Sequence, residues 1–333
     1  MKKVLFATTA LVATASVAAA DVTLSGSGRF GIVYNSQSVD GAKSTDSKVR
    51  MERRMTINID GSGSTDSGLE FGGRMRLRSD EGDAGSAVAS SNIFMGNDAF
   101  RVTVGNTNGA LLQRVGYFQG SVGLTGLHWA NLSFNIGESA WQLNSYSSGG
   151  NTGDVVRLDF NVGGLGVSVS TDTTGTYNAS GTATEDAIAV SYNFGDWTVA
   201  AGYAANAVIA AAADGSVTAG TAVVGEGLDL MSLSVVGSIG DIGVGLGYTD
   251  KEKIGSKLTL SGSYSFGETT VTGFVANTSE DMPGSAGISA TQGSDTEYGI
   301  GFSHNLGGAT LAGGVSRNYT KNTQADLGVS FSF

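Results

Sequence analysis

Arginine recurs at even positions in two stretches, Arg50 with Arg54, and Arg74 with Arg76 and Arg78. A guanidinium is always charged and presents five donors in a planar fork, the geometry that takes carboxylates and phosphates two bonds at a time. On one face at that spacing, with Arg29 and Arg101 in neighbouring segments, such residues make an anion-facing wall rather than a catalyst. Other chemistry is thin. The absence of Cys removes thiol nucleophiles, disulfides and thiolate metal sites. The two histidines, His128 and His304, are far apart in sequence, and no metal-spaced cluster exists. The run Asp80-Glu81-Gly82-Asp83 falls short of a calcium loop, which needs many more ligands at fixed spacing. No cofactor is expected, and divalent cation at such acidic loops is the one minor alternative to plain solvation. Gly61-Ser-Gly-Ser-Thr-Asp-Ser-Gly68 reads as a flexible turn, because no Lys-Ser/Thr follows and no helix opens there.

The elements that must hold these arginines have a period of two. Between Lys48 and Asp60 the even positions are Lys48, Arg50, Glu52, Arg54, Thr56 and Asn58, and the odd ones include Val49, Met51, Met55, Ile57 and Ile59. In the next segment Glu70, Arg74, Arg76 and Arg78 alternate with Leu69, Phe71, Met75 and Leu77. Strict alternation is the mark of a strand with one polar and one apolar face. A soluble sandwich alternates too, so the period alone does not settle where the chain resides.

Composition narrows the choice. Among 333 residues, 52 are Gly and one is Pro, without the G-X-Y period of collagen. Charged residues make up only 15%, against disorder by charge excess, and a formal charge of -11 argues against nucleic acid. Residues 1–20 read as a secretory signal peptide: Lys2 and Lys3, an apolar Val4 to Val17, then Ala18-Ala19-Ala20 as the cleavage site. Residues 21–333 are then the mature chain, with 17 basic and 30 acidic groups. It holds no run of about 18 apolar residues, so any membrane crossing must use strands.

The connections favour crossing. Tight Gly-containing turns at Met95-Gly-Asn-Asp98, Val162-Gly-Gly-Leu165, Phe194-Gly-Asp-Trp197, Ile239-Gly-Asp-Ile242, Phe266-Gly-Glu-Thr269 and Leu306-Gly-Gly-Ala309 alternate with long polar stretches at 37–47, 79–87, 107–152, 173–183, 207–227 and 279–294. Short turns at one end and long loops at the other are the plan of an outer-membrane barrel. Sixteen strands follow, near 22–36, 48–60, 68–79, 88–96, 99–106, 153–162, 165–172, 184–194, 196–206, 228–239, 241–250, 256–266, 268–278, 295–306, 308–319 and 323–333. The expected fold is an all-β, transmembrane, antiparallel up-and-down barrel. Aromatic residues near strand ends, among them Phe30, Tyr34, Tyr192, Phe194, Trp197, Tyr203, Tyr248, Tyr264, Phe266 and Tyr319, suit its interfacial girdles.

The opening Asp21-Val-Thr-Leu-Ser-Gly-Ser-Gly-Arg-Phe-Gly31, the Arg-Met-Arg-Leu-Arg strand at 74–78 and the terminal Phe331-Ser-Phe333 resemble the general diffusion porins of Gram-negative outer membranes, with the alphaproteobacterial branch most similar. The resemblance implies a homotrimer of sixteen-stranded barrels in the outer membrane, each with its long third loop, here 107–152, folded into the lumen. It implies a terminal Phe333 read by the barrel-insertion machinery, contacts with lipid and lipopolysaccharide, and passage of small hydrophilic solutes. In the family that loop is rich in acids; here it holds only Glu138, a departure bearing on the field across the pore.

Parity places Arg29, Arg50, Arg54, Arg74, Arg76, Arg78 and Arg101 inside as a pore-lining, constricting set; the resemblance implies Glu138 of the in-folded loop opposite them, with Asp154 and Asp159 on the next strand adding to it. Arg53 has outward parity, where the bilayer midplane would cost roughly 2–4 kcal/mol, so an interfacial or subunit-contact position is expected. Outward Gly26, Gly28 and Gly73 fit either a subunit contact or strand curvature. Closure is expected between the first and last strands, with an ion pair from the Asp21 amino group to the Phe333 carboxylate. A passive aqueous channel is the leading function. The alternatives are an outer-membrane enzyme of phospholipase type, for which His304 with a Ser is the one candidate, and a secreted β-rich adhesin or binding protein.

Overall fold

The computed structural model describes residues 21–36, 48–81, 87–116, 118–129, 132–133, 146, 155–173, 185–207, 228–252, 255–279, 296–318 and 321–333. Its strands are β1 (Asp21–Asn35), β2 (Val49–Ser64), β3 (Glu70–Asp80), β4 (Ala87–Val88), β5 (Asn92–Gly96), β6 (Phe100–Gly105), β7 (Val155–Val162), β8 (Leu165–Asp172) and β9 (Asp186–Phe194). They continue through β10 (Trp197–Ala207), β11 (Leu228–Ile239), β12 (Ile242–Lys251), β13 (Gly255–Phe266), β14 (Thr269–Thr278), β15 (Thr296–Asn305), β16 (Ala309–Arg317) and β17 (Thr323–Ser332). One short helix, α1 (Ala110–Arg114), follows β6. The strands pair antiparallel in chain order, except that β4 pairs only with β3, and β1 pairs with β17, so the sheet closes on itself. The segments β4 and β5 both pair with β3 and together make one stave, giving the sixteen expected.

Burial is inverted relative to a soluble protein. Val22, Leu24, Met51, Ile93, Val162, Ile239 and Ile300 are exposed on the outside, while Glu52, Ser168, Ser232, Thr249, Thr259, Thr272 and Glu297 are buried within. An apolar exterior and a polar interior are the two solvents of a membrane barrel, read alternately along every strand. Pairing of β1 with β17 from Gly26 onward closes the terminal strands on each other, where an open edge in hydrocarbon would cost several kcal/mol per unpaired amide. The two-residue turns put positive φ at their first central residue, +58° at Gly163 and Gly195, +60° at Gly240 and +55° at Gly267. This is the II′ hairpin requirement, which glycine meets without strain. Above these turns stacked outward pairs, Tyr192 with Phe194 and Tyr264 with Phe266, form the aromatic girdle.

Three expectations are corrected. The segment 61–64 is strand, not turn, because Ser62 pairs with both Asp21 and Gly72, ladders on either side that hold a Gly/Ser stretch with little packing demand of its own. The strand expected at 88–96 is interrupted between β4 and β5, where Asn106 donates its side-chain N–H to the Ser90 carbonyl at 3.0 Å and its backbone N–H to that of Ser91 at 3.0 Å. Finally, Phe333 exchanges backbone hydrogen bonds with Gly26, at 2.8 and 3.0 Å, not with Asp21. Five residues of β1, about 17 Å at strand rise, extend beyond it, so the Asp21–Phe333 ion pair does not form.

Candidate functional site

Six of the seven singled-out arginines lie together on the inner face of β1, β2 and β3. Arg29 and Arg50 converge on Glu52, at 2.7 and 2.5 Å. Arg54 and Arg78 converge on Asp80, Arg78 at 2.7 Å. Arg74 binds Asp60 through two donors, at 2.6 and 3.2 Å. Between these pairs Arg76 donates to the Asn58 side-chain oxygen at 2.9 Å and stacks over the Tyr146 ring at 4.4 Å. Strand register produces the arrangement, since Arg29 lies opposite Arg54, Arg54 opposite Asp80, Asn58 opposite Arg76 and Asp60 opposite Arg74. Five of the six arginines thus share three carboxylates, and the wall keeps a positive excess. Acids not singled out for this role stand on the wall itself: Glu52, Asp60 and Asp80 share the inward parity of the arginines. Asp80, read from sequence as part of an acidic loop, faces inward, and Glu81 reaches Arg53 at 3.5 Å. No group of residues fit to hold a metal occurs among the described residues. Gly82 and Asp83 lie outside them.

The remaining wall carries a different residue pattern because the third loop covers it. Leu111 of α1 sits on inward Ala187, Ala189, Ala200, Gly202 and Ala204, small residues that let a helix approach. Arg114 fixes α1 by donating to Ser168 at 2.6 Å and Asn161 at 2.8 Å. Burial lowers its pKa, partly offset by Asp159. The loop then passes over β11 at Gly116, over β12 and β13 at Gln119, which donates its N–H to Ser261 at 2.9 Å, and over β15 and β16 at Gly123. It reaches the closing seam where Leu124 packs on Gly31 and Gly328, and the Leu124 carbonyl meets Arg29 at 3.5 Å. The loop from α1 to Leu124 therefore lines the barrel from β8 round to β1, and Tyr146 of its returning part stands against Arg76 of the wall. A cavity of about 660 Å³ lies there, lined by Arg29, Arg54, Arg76, Arg78 and Leu124.

His128 anchors the last turn. Its ring stacks on Phe118 at 4.4 Å, and its Nδ1 accepts the Val122 N–H at 3.2 Å. Burial pushes its pKa down to about 4. Tyr146, the described part of the returning loop, has its phenol pKa raised by burial, against the lowering influence of Arg76 and Arg74.

Arg101 is not part of the arginine wall; it lines a separate recess beside β5 to β8. Glu138 and Asp154 lie outside the described residues. Asp159 is inward but already engaged, receiving Arg157 at 2.9 Å. Sequence reading passed over Arg157 and the fully buried Lys257–Glu297 pair at 2.8 Å, which the Thr278 hydroxyl completes at 2.9 Å. Each lies near a strand end, and parity alone was the available signal. The other histidine, His304, has its Nδ1 2.8 Å from the Thr269 hydroxyl beside a tight turn. Arg53 points outward near the long-loop end of β2, with its Nη2 3.3 Å from the Asp80 carbonyl.

Comparison with known proteins accords with this geometry. A family model described as Gram-negative porin matches residues 7–324. A curated relative, a porin from Fuscovulum blasticum, is 28% identical over 324 residues, covering 94% of this chain and all of its own. Solved structures of Rh. blastica porin mutants superpose with TM-scores of 0.72 at 25% identity and 0.73 at 26%, again over 94% of this chain and 100% of theirs.

Proposed function

This chain belongs to the Gram-negative porin family, and from that premise we propose how its lumen selects what passes. It is an outer-membrane channel for passive diffusion of small hydrophilic solutes, not an enzyme. A sixteen-stranded barrel is too wide for its own side chains to fill, so water and solutes occupy the interior. The narrow passage lies between the in-folded loop and the arginines of β1–β3, and those arginines set its charge preference. One observation supports this reading: the loop from α1 to Leu124 lines the lumen from β8 to β1, and Arg29, Arg54, Arg76 and Arg78 of the wall face the cavity beyond it.

The partial pairing with Glu52, Asp60 and Asp80 keeps the net field modest, and the acid-poor loop opposes it weakly. Selectivity is therefore weak. Residues 1–20 act as the export leader, and 21–333 form the mature barrel, consistent with β1 starting at Asp21. Three copies associate, as the family likeness implies. Gly26 and Gly28 do not support that contact, because the rings of Phe333 and Phe331 cover them. Lipid meets the apolar exterior. Lipopolysaccharide meets the Arg53 and Glu81 rim, and Phe333 is the recognition point for the barrel-insertion machinery.

Zero-current potentials across a planar bilayer in a KCl gradient test the charge assignment. Arg74→Glu with Arg76→Glu moves the potential toward cations, and further at 0.01 M, where the Debye length is about 30 Å, than at 1 M, where it is about 3 Å. Unchanged potential and conductance would place both residues away from the narrow passage.

A further inference from the structure

Beside the arginine wall, between β5–β8 and α1, lies a second cavity of about 470 Å³. It opens among residues near the tight-turn end, including Gly96 and Asp98, and Arg101 is its central cation. The Arg101 guanidinium lies over the Phe94 ring at 3.5 Å from the centroid, so its plane is fixed by stacking. Among the described residues it makes no hydrogen bond and no ion pair. Its neighbour Arg157 behaves oppositely, binding both oxygens of Asp159 at 3.1 and 2.9 Å. Asp159 also accepts the Ser168 hydroxyl at 2.5 Å and faces Arg114 at 3.8 Å. Although Asp159 is the cross-strand partner of Arg101, its hydrogen bonds go to Arg157 and Ser168 and none to Arg101.

Two further residues complete the recess. Thr103 is 5% exposed, lines the same cavity, and its hydroxyl has no hydrogen-bond partner among the described residues. Glu70 lines the opposite rim and likewise has no ion-pair partner among the described residues. Pairing places Glu70 opposite Gly96, and Gly96 opposite Arg101, so their backbone positions stand two strand spacings apart, about 10 Å, with a glycine between them. A side chain at Gly96 would collide with the Phe100 carbonyl and Arg101, so the gap stays open by necessity.

A stacked guanidinium with its donor edge unused takes a carboxylate in bidentate fashion, and a carboxylate across a vacant gap takes an ammonium. We propose that this recess binds zwitterionic solutes of amino-acid or dipeptide size, the solute carboxylate on Arg101 and its ammonium on Glu70. The site is a stopping place beside the permeation route. It rests on the channel reading and adds a solute class to it.

Single-channel KCl current measured against increasing glycylglycine, succinate or putrescine tests this, each variant being normalised to its own current. Glycylglycine reduces the wild-type current saturably, and at lower concentration than the dianion or the dication. Arg101→Gln and Glu70→Gln each raise its half-effect concentration by tenfold or more, and Glu70→Gln shifts preference toward succinate. The two substitutions lie on different strands, so misfolding of one leaves the other as the test. A reduction linear in concentration, or one that neither substitution alters, would overturn the site. Succinate outcompeting glycylglycine in the wild type would overturn the zwitterion assignment. Absence of KCl current would instead contradict the channel reading itself.

Discussion

The carboxylate of Asp326 accepts two hydrogen bonds from Thr125, one from its backbone N–H at 2.7 Å and one from its hydroxyl at 2.6 Å. A third comes from the Leu124 N–H at 2.9 Å. Asp326 belongs to β17 and Thr125 to the loop turn, so the strand that closes the barrel also holds the far end of the loop. Hydrogen bonds to a charged group contribute about 1.5–3 kcal/mol each. Asp326→Ala should weaken loop docking by roughly 3 kcal/mol or more, about a hundredfold in the undocked population. Single-channel records should then show frequent larger-conductance excursions. Quiet wild-type records from this variant would mean that the loop is held elsewhere.

Acid should release the same turn through His128. Its pKa is about 4 when docked and near 6.5 when free, so the docked loop prefers the neutral ring. Docking is fully favoured above pH 6.5, weakens as pH falls from 6.5 to 4, and changes little below that. The loss is roughly 3 kcal/mol. Protonation removes the acceptor for the Val122 N–H and places charge between Phe118 and Trp129. Phe274 packs on this turn from β14, and the charged groups facing it are Asp326 from β17 and Arg29 from β1. His128→Phe keeps the stack without the titration. Its conductance should lack the change between pH 6.5 and 4; a wild-type profile in that variant would remove His128 from the pH response.

Deleting Phe333 should slow barrel closure and outer-membrane insertion. The residue contributes two backbone hydrogen bonds to Gly26 and a ring that covers the Gly26 backbone, stacked 6.3 Å from Phe331. Pulse-chase fractionation should show precursor accumulating and heat-modifiable folded protein reduced several-fold. Wild-type insertion kinetics would remove Phe333 from assembly.

Much of this architecture is legible in the amino-acid order. Alternation in Lys48 to Asp60 and Glu70 to Arg78 fixes the faces, and Gly-containing turns fix the hairpins, because both depend on neighbours along one chain. Azimuth and register are less local. The parity that puts Arg101 inside does not say that it lies strands away from Arg76, nor that Asp80 meets Arg54 and Arg78. Those meetings depend on how far each strand slides past the next. Inward Ala187, Ala189, Ala200, Gly202 and Ala204 did carry a signal for the loop's seat: an uncharged stripe of small residues on a face otherwise polar.

The chain has no Cys, so single substitutions report lumen access without background. Asn58 lines the cavity along the arginine wall, whereas Ser261 lies under Gln119 and Ser232 is fully buried. Charged methanethiosulfonate reagents applied to conducting channels should therefore modify Asn58→Cys and step the current down. Ser261→Cys and Ser232→Cys should be modified at least tenfold more slowly. Equal reaction at all three positions, or faster reaction at Ser261→Cys, would contradict a passage running between the loop and the arginines.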